Sequence, residues 1–177
     1  KLSQFLLEAD KKYRATIKLG VKTASGDSQG EVLTRSEVNV TKEQVENCLD
    51  AFRGEITQVP SMYSALKHKG VPLYKLARKG QEVERKERTV NISRLEMLDF
   101  RGDEIDLEVD CSKGTYIRSI ADDLGDMLGI GGHVIALRRL ASGPFNVDES
   151  VSLETLQQES DEGGPSALDR YLQPADI

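Results

Sequence analysis

The chain of 177 residues carries 24 Lys/Arg against 30 Asp/Glu, a net charge of −6, with 38% hydrophobic residues and no Trp. That length suits one domain with a real core, and no apolar run reaches the ~18 residues of a membrane span. No signal peptide is expected, and Cys48 and Cys111 lack CxxC or Cys/His metal spacing, so they read as reduced, buried thiols of a cytoplasmic protein.

The first residues, LSQFLLEADKKY, read as a helix. Residues 13–19 then alternate Tyr13, Ala15, Ile17 and Leu19 on one face, the pattern of a half-buried strand. Thr23 to Gly30, TASGDSQG, is a turn-rich polar loop, and Glu31–Val40 reads as a second extended segment. Thr41-Lys42-Glu43-Gln44 is a capping box: the Thr oxygen takes one free amide and Gln44 reaches back to another. The helix it opens puts Val45, Cys48, Leu49 and Phe52 on one side, with Gly54 as its stop.

Residues 55–88 differ from the rest. Pro60 and Pro72 interrupt them, and basic residues mix with Met62, Tyr63 and Tyr74. LYKLARKG, from Leu73, reads as a short helix closed by Gly80. The segment is expected to be an exposed insertion carrying that one helix. Two strands follow, Thr89–Phe100 and Glu104–Cys111, joined by Arg101-Gly102-Asp103 as an antiparallel hairpin. The next helix directs Ile117, Ile120, Ala121, Leu124, Met127 and Leu128 inward and stops at Gly129. His133–Leu140 reads as another strand, Ser152 starts a short helix, and the end reads as loop. The class is α/β of the α+β type, with mainly antiparallel strands, because most gaps between strands are too short for βαβ crossovers.

Charge is unevenly distributed. Residues 67–88 hold eight Lys/Arg and three Glu, a local +5, which leaves −11 for the remainder; Asp148–Asp169 holds seven acids and no Lys/Arg. Phosphate binding answers to the local field, so a basic segment in an acidic protein is a candidate contact. A charge run taken alone is more often a solvated face.

The segment CSKGTYIRSIADDLG, Cys111–Gly125, turns a strand into a helix. Gly114 permits the tight turn and Thr115 is the expected N-cap. Tyr116 and Arg118 fall at the positive end of the helix, where a cation is mildly unfavourable. An Arg there calls for an anionic partner, a carboxylate or a phosphate; on spacing alone it would rank as an ordinary surface Arg.

Cys111–Arg118, with Asp122-Asp123-Leu124-Gly125 after it, resembles the arginine-bearing motif of the TruB family of tRNA pseudouridine synthases. Three further stretches resemble the same family in the same order. Asp10-Lys11-Lys12-Tyr13-Arg14 is similar to its Lys-x-Tyr motif. Pro60–Lys67, continued by Gly70, Leu73-Tyr74, Ala77-Arg78 and Gly80, is similar to its RNA-gripping thumb. His133–Leu140 is similar to its last active-site strand. The resemblance covers nearly the whole chain and implies a pseudouridine synthase fold, a mixed, mainly antiparallel sheet flanked by helices, with a thumb insertion at about 60–88.

The resemblance also implies an activity. TruB enzymes convert uridine 55 in the T-loop of tRNA to pseudouridine: the uracil is detached, turned and rejoined through carbon 5. They use no cofactor or metal and one essential aspartate, and the base must be flipped from its stack into a pocket. By the same resemblance Arg118 pairs with that aspartate and holds it ionised. Tyr13 stacks on the flipped base, a safer role than that of a base, since a phenol is a poor base near neutral pH. Tyr116 contacts the substrate nucleotide and Leu137 walls the uracil pocket. Asp27 stands at the family's second aspartate position, where it would bond Arg118 or order its own loop through an Asx turn. Tyr63, Lys67, Lys69, Tyr74, Arg78 and Lys79 would grip RNA by phosphate and stacking contacts. The partner implied is the T-arm stem-loop of tRNA, without membrane or metal, and the full-length protein is expected to be monomeric.

One departure matters. The family's nucleophilic aspartate sits in a Gly-x-Leu-Asp-Pro-x-Ala-Thr-Gly stretch, and no such stretch occurs between Lys1 and Ile177. Residues 1–177 therefore read as a partial catalytic domain, expected to be inactive alone, without the nucleophile and without the family's C-terminal RNA-binding PUA domain. Two other readings compete: a non-catalytic RNA-binding or scaffold relative, and a dyskerin-like, guide-RNA-dependent enzyme acting on ribosomal RNA. The intact Tyr13, Arg118 and Leu137 set argues against the first. The thumb sequence SMYSALKHKGVPLYKLARKG and the acidic composition argue against the second.

Overall fold

The structure, a computed structural model, describes residues 2–172. The chain divides into two compact units, Lys1–Pro144 and Phe145–Ile177. In the first, helix α1 (Leu2–Glu8) leads into β1 (Lys11–Leu19), and a small antiparallel pair follows, β2 (Val21–Thr23) with β3 (Val32–Arg35). After α2 (Lys42–Leu49) come β4 (Gly54–Gln58), the two-residue strands β5 (Lys67–His68) and β6 (Val71–Pro72), and α3 (Leu73–Ala77). Then β7 (Arg88–Phe100), β8 (Glu104–Cys111), α4 (Ile117–Met127) and β9 (Gly132–Ser142) complete the unit. Five of these strands form one antiparallel sheet in the order β9-β1-β8-β7-β4.

Alternation divides the sheet into two chemically different faces. Ala15, Ile17 and Leu19 of β1 and Ile105, Leu107, Val109 and Cys111 of β8 are all within 1% of complete burial. They pack with Val45 and Leu49 of α2 and with Ile117, Ile120, Ala121 and Leu124 of α4 into one core. The opposite face carries charge. Lys12 lies 3.7 Å from Glu108, Lys18 lies 2.7 Å from Asp103, and Arg94 lies 2.9 Å from Glu108. One face is buried and the other is wet, as antiparallel sheets allow.

The capping box at Thr41–Gln44 forms with both reciprocal bonds, 3.2 and 2.8 Å. Several details differ from the sequence reading. The helix after it ends at Leu49 and passes through a 3-10 turn, Asp50–Phe52, and Gly54 opens β4. The extended segment 31–40 is a strand only over Val32–Arg35, exposed throughout. Cys48 is only half-buried, while Cys111 is buried. Met127 is 51% exposed, because the last turn of α4 runs past the core. Thr115 is not the N-cap: its hydroxyl donates to Ser112 O at 2.9 Å, and Tyr116 takes the cap position without a side-chain cap bond.

α4 lies on β1 and β9 with almost no gap at one point. A Cβ built on Gly125 would fall 2.1 Å from Gly132 N and 2.2 Å from Gly131 C. Only a residue without a side chain lets helix and strand approach so closely.

The insertion starts later than its composition suggests, because Gly54–Gln58 is an edge strand paired with β7. Beyond it, β5 and β6 form a tiny hairpin that the sequence reading did not find. Its turn is Lys69-Gly70, with φ of 48° and 83°, both in the left-handed region that a two-residue hairpin turn requires. The expected short helix is present as α3. Pro60, Met62, Ser64 and Leu73 are the buried residues of this thumb.

In the second unit, β10 (Phe145–Asn146) precedes a 3-10 turn, Val147–Glu149, and α5 (Leu153–Gly163). Ser152 caps α5 through its bond from Thr155 N, 3.1 Å. A further 3-10 segment, Pro165–Tyr171, stands where loop was expected. There Arg170 lies over the Tyr171 ring at 4.9 Å, and the Tyr171 hydroxyl donates to Glu159 at 2.8 Å. The remainder of the expected C-terminal loop, 173–177, lies outside the described residues.

Candidate active site

The expected site residues fall into two groups: Tyr13 and Leu137 on the paired strands β1 and β9, and Arg118 with Asp27 where the start of α4 meets the polar loop; Tyr13, Tyr116 and Leu137 line neither of the two cavities that contain Arg118. β1 sets Tyr13 between Val109 of β8 and Arg139 of β9, and sets Ala15 opposite Leu137. Tyr13 is half-buried against the core and Leu137 is 49% exposed on the same face. An ordinary core Leu would be closed over, and this one is open to solvent. Burial pushes the Tyr13 phenol up, the neighbouring Cys111 adds to this, and Arg139 only partly offsets it. The ring is thus a neutral hydrogen-bonding and stacking surface near neutral pH.

Arg118 sits in the first turn of α4 and has a partner within the chain. Its Nη1 donates to Asp27 Oδ2 at 2.8 Å and to Ser25 O at 3.3 Å, and its Nη2 donates to Tyr63 O at 3.0 Å. Asp27 is itself held. The Ser25 hydroxyl donates to Oδ1 at 2.6 Å and Gln29 N donates at 3.1 Å, the Asx turn expected of the TASGDSQG loop. That loop is laid against the start of β9 by Val134 N to Gly26 O, 3.0 Å, and Ser28 N to Val134 O, 3.1 Å. Burial by itself would raise the Asp27 carboxyl. The Ser25 hydroxyl, the Gln29 amide and the Arg118 guanidinium outweigh it and hold the carboxyl below its ordinary value. Both expected roles of Asp27 are therefore present in its contacts: it bonds Arg118 and it orders its loop.

Three segments converge here. Asp27 from the polar loop, Arg118 from α4, and Tyr63, Tyr74 and Arg78 from the thumb line one cavity of about 310 Å³. Arg78 lies over the Tyr74 ring at 5.6 Å. Lys67 and Lys69 sit on the β5–β6 hairpin and Lys79 follows α3; all three are exposed and none lines this cavity. On the other side of Arg118 a larger cavity of about 580 Å³ lies between the thumb and α4, lined in part by Met62, Arg85, Asp122 and Asp123. Burial raises both of these carboxyls, that of Asp122 against the pull of Lys22.

Tyr116 is fixed by a residue that the sequence did not mark. Gln58, 2% exposed, accepts from Tyr116 N at 2.9 Å and donates to Tyr116 O at 3.2 Å. A buried amide must find such partners, but they lie 58 residues away, so no local pattern could have shown it. Ser25 was legible only as part of a turn-rich loop, and Arg139 only as one of two arginines on a strand. Among the described residues no group of three or more His, Cys, Asp or Glu could hold a metal. Among these residues no helix is long and apolar enough to cross a membrane.

Comparison with known proteins gives a consistent result. A family model for TruB family pseudouridylate synthase (N terminal domain) matches residues 1–117, and one for the tRNA pseudouridylate synthase B C-terminal domain matches 118–177. The boundary between the two models falls inside α4, not at the boundary between the compact units. tRNA pseudouridine synthase B of Stutzerimonas stutzeri is 57% identical over 176 residues, covering 99% of this chain and 58% of that protein. The Coxiella burnetii protein of the same name is 55% identical over 175 residues, 98% of this chain and 57% of that protein. The chain thus spans under two thirds of the length of these relatives. Among solved structures, a Cbf5-Nop10-Gar1 complex matches with a TM-score of 0.70 at 29% identity, over 97% of this chain and 43% of that one. An H/ACA RNP bound to a substrate RNA containing 2′-deoxyuridine matches with a TM-score of 0.66 at 25% identity, over 97% and 42%.

Proposed function

The chain belongs to the TruB family of pseudouridine synthases, and from that premise we propose that it forms the base pocket and RNA grip of an enzyme isomerising uridine 55 in the tRNA T-loop. The observation that carries this reading is the convergence of Asp27, Arg118, Tyr63, Tyr74 and Arg78 on one cavity. A guanidinium, a carboxylate, two aromatic rings and a second guanidinium suit a flipped base and its phosphates.

Arg118 has five N–H donors, and three hydrogen bonds to described residues use Nη1 twice and Nη2 once. Nε–H and one Nη2–H remain to receive a second carboxylate, that of the family's essential aspartate. Asp27 then acts as the positioning residue for Arg118. Tyr13, with its raised pKa, stacks on the uracil as a neutral ring, and exposed Leu137 forms the apolar wall opposite Ala15. Lys67, Lys69 and Lys79 make phosphate contacts along the strand outside the cavity.

The 177-residue polypeptide is expected to bind a T-arm hairpin in preference to an unrelated hairpin, with marked salt sensitivity, and to form no pseudouridine. Equal binding of the two hairpins would overturn the T-arm assignment, and turnover by the pure chain would overturn the role given to the family's essential aspartate. The relatives named as tRNA enzymes are 57% and 55% identical, against 29% and 25% for the RNP structures. This favours a stand-alone tRNA enzyme over a guide-RNA-dependent one.

A further inference from the structure

A third cleft lies at the corner that carries Tyr116 and Arg118, apart from the two cavities that contain Arg118. It has a volume of about 420 Å³ and is lined by Leu7, Arg88, Thr89, Val90, Lys113 and Gly114. Its two walls are registered to each other by one backbone bond and one bond to a side chain. Ser112 N donates to Asn91 O at 2.8 Å, and Asn91 N donates to Ser112 Oγ at 2.9 Å. The β7–β8 ladder therefore continues into the turn and fixes Arg88 and Thr89 beside Lys113 and Gly114.

The cations here are used unequally. Arg85, three residues earlier, donates to Glu82 at 3.0 Å and to Pro60 O at 3.2 Å. Lys113 pairs with Glu8. Arg88 is exposed, and no ion pair or side-chain hydrogen bond joins it to another described residue. Gly114 has φ +80°, and a Cβ there would lie 3.9 Å from Arg88 Nη1. The turn therefore leaves the approach to the guanidinium clear. An exposed arginine facing a glycine turn, with a lysine and a threonine hydroxyl beside it, has the donor geometry for a tetrahedral oxyanion.

We infer that the Arg88–Lys113–Gly114 cleft binds a backbone phosphate of the RNA strand, next to the nucleotide whose base enters the Arg118 cavity. The inference rests on the reading that RNA is the ligand. Two features favour a nucleic-acid phosphate over a carboxylate of a partner protein. Arg88 ends the basic run 67–88, so the cleft continues the field of the thumb. Arg88 pairs with Gln58 across β7 and β4, and Gln58 bonds Tyr116, two residues before Arg118, so the cleft and the Arg118 cavity flank one corner, and a strand with one base in that cavity must carry phosphates on either side of it. Glu8 competes for Lys113, so an incoming phosphate displaces that pair.

The test is T-arm hairpin binding by the protein and by Arg88→Gln, Lys113→Gln, Glu8→Gln and the thumb variant Arg78→Gln. All four positions are exposed, and thermal unfolding should be unchanged. Arg88→Gln and Lys113→Gln are each expected to weaken binding about five- to tenfold and to lower the salt slope by about 1. Glu8→Gln is expected to tighten binding about twofold by releasing Lys113. In a hairpin scanned with single neutral methylphosphonates, one linkage should lose affinity for the wild-type protein and lose none for Arg88→Gln. If Arg78→Gln weakens binding while Arg88→Gln and Lys113→Gln do not, the cleft is not a phosphate site and the functional reading stands. If an acidic peptide competes with the hairpin for Arg88 alone, the cleft assignment falls; if no variant changes binding, both the cleft assignment and the RNA grip fall.

Discussion

In β8 four alternate residues, Ile105, Leu107, Val109 and Cys111, are at most 1% exposed, while the whole thumb buries only Pro60, Met62, Ser64 and Leu73. The sheet is held by burial and by ladders on both sides of β8, unbroken toward β1 and with two register shifts toward β7. The thumb is held by separate polar links: Arg118 to Tyr63 O, Arg85 to Pro60 O, Tyr74 N to Ser64 O at 3.1 Å and Leu73 N to Leu66 O at 2.7 Å. Each such link contributes about 1 kcal/mol net, whereas each fully buried aliphatic contributes about 1.5–3. The difference teaches that the protein keeps a rigid floor and a separable clasp. One of the links between them, Arg118, is also the site's central cation.

Four changes would break or sharpen that contrast. Leu107→Ala, at 0% exposure, should cost about 2–5 kcal/mol in urea unfolding; a loss below about 1 would mean that the sheet is not the stabilising layer. Leu73→Ala, at 3% exposure, removes the same number of carbons from the thumb. It should lower global stability by less than about 1 kcal/mol yet speed proteolysis between 60 and 88 on the order of tenfold. Equal global losses for the two would show that floor and clasp unfold together.

Asp27→Asn tests the link itself. It should cost about 1–2 kcal/mol near pH 7, where a half-buried pair is broken and Arg118 is left with fewer acceptors. The Asp27 carboxyl is held below its ordinary value, so its contribution is complete above the unfolded pKa of about 3.9 and is lost as pH falls through the lower folded value. The stability difference between wild type and variant should be flat from pH 7 to about 5 and shrink below about 4. A gap that persists in acid would mean that the carboxylate charge is not what matters. The smallest effect is expected at the hairpin tip. Lys69→Gly removes the φ +48° strain and should stabilise the thumb by about 0.5–1 kcal/mol, seen as slower cleavage there, while weakening RNA binding through the lost cation.

What could be read from the sequence follows the same division. Tyr13, Ala15, Ile17 and Leu19 announce their shared face by alternation, and the capping box and the Arg101–Asp103 turn announce themselves by local chemistry. β4 escapes because it is an edge strand with a single apolar residue, Ile56, between polar ones. β5 and β6 escape because two-residue strands have no period. Met127 is misplaced because a helical stripe says which side faces inward and not where the neighbour ends. The Arg118–Asp27 pair was suggested only by resemblance, since the two residues are 91 positions apart. Gln58 was not suggested at all.

Gly125 carries a consequence for anyone who would retune this protein. The contact of α4 with β9 is made backbone to backbone, about 10 Å along the helix from Arg118. Gly125→Ala would drive a wedge at a fulcrum: the helix must tilt, and its far end would swing the guanidinium away from Asp27 and Tyr63. The aim of Arg118 is thus set by the absence of one methyl group two helical turns away, at a position whose nearest neighbours are backbone atoms.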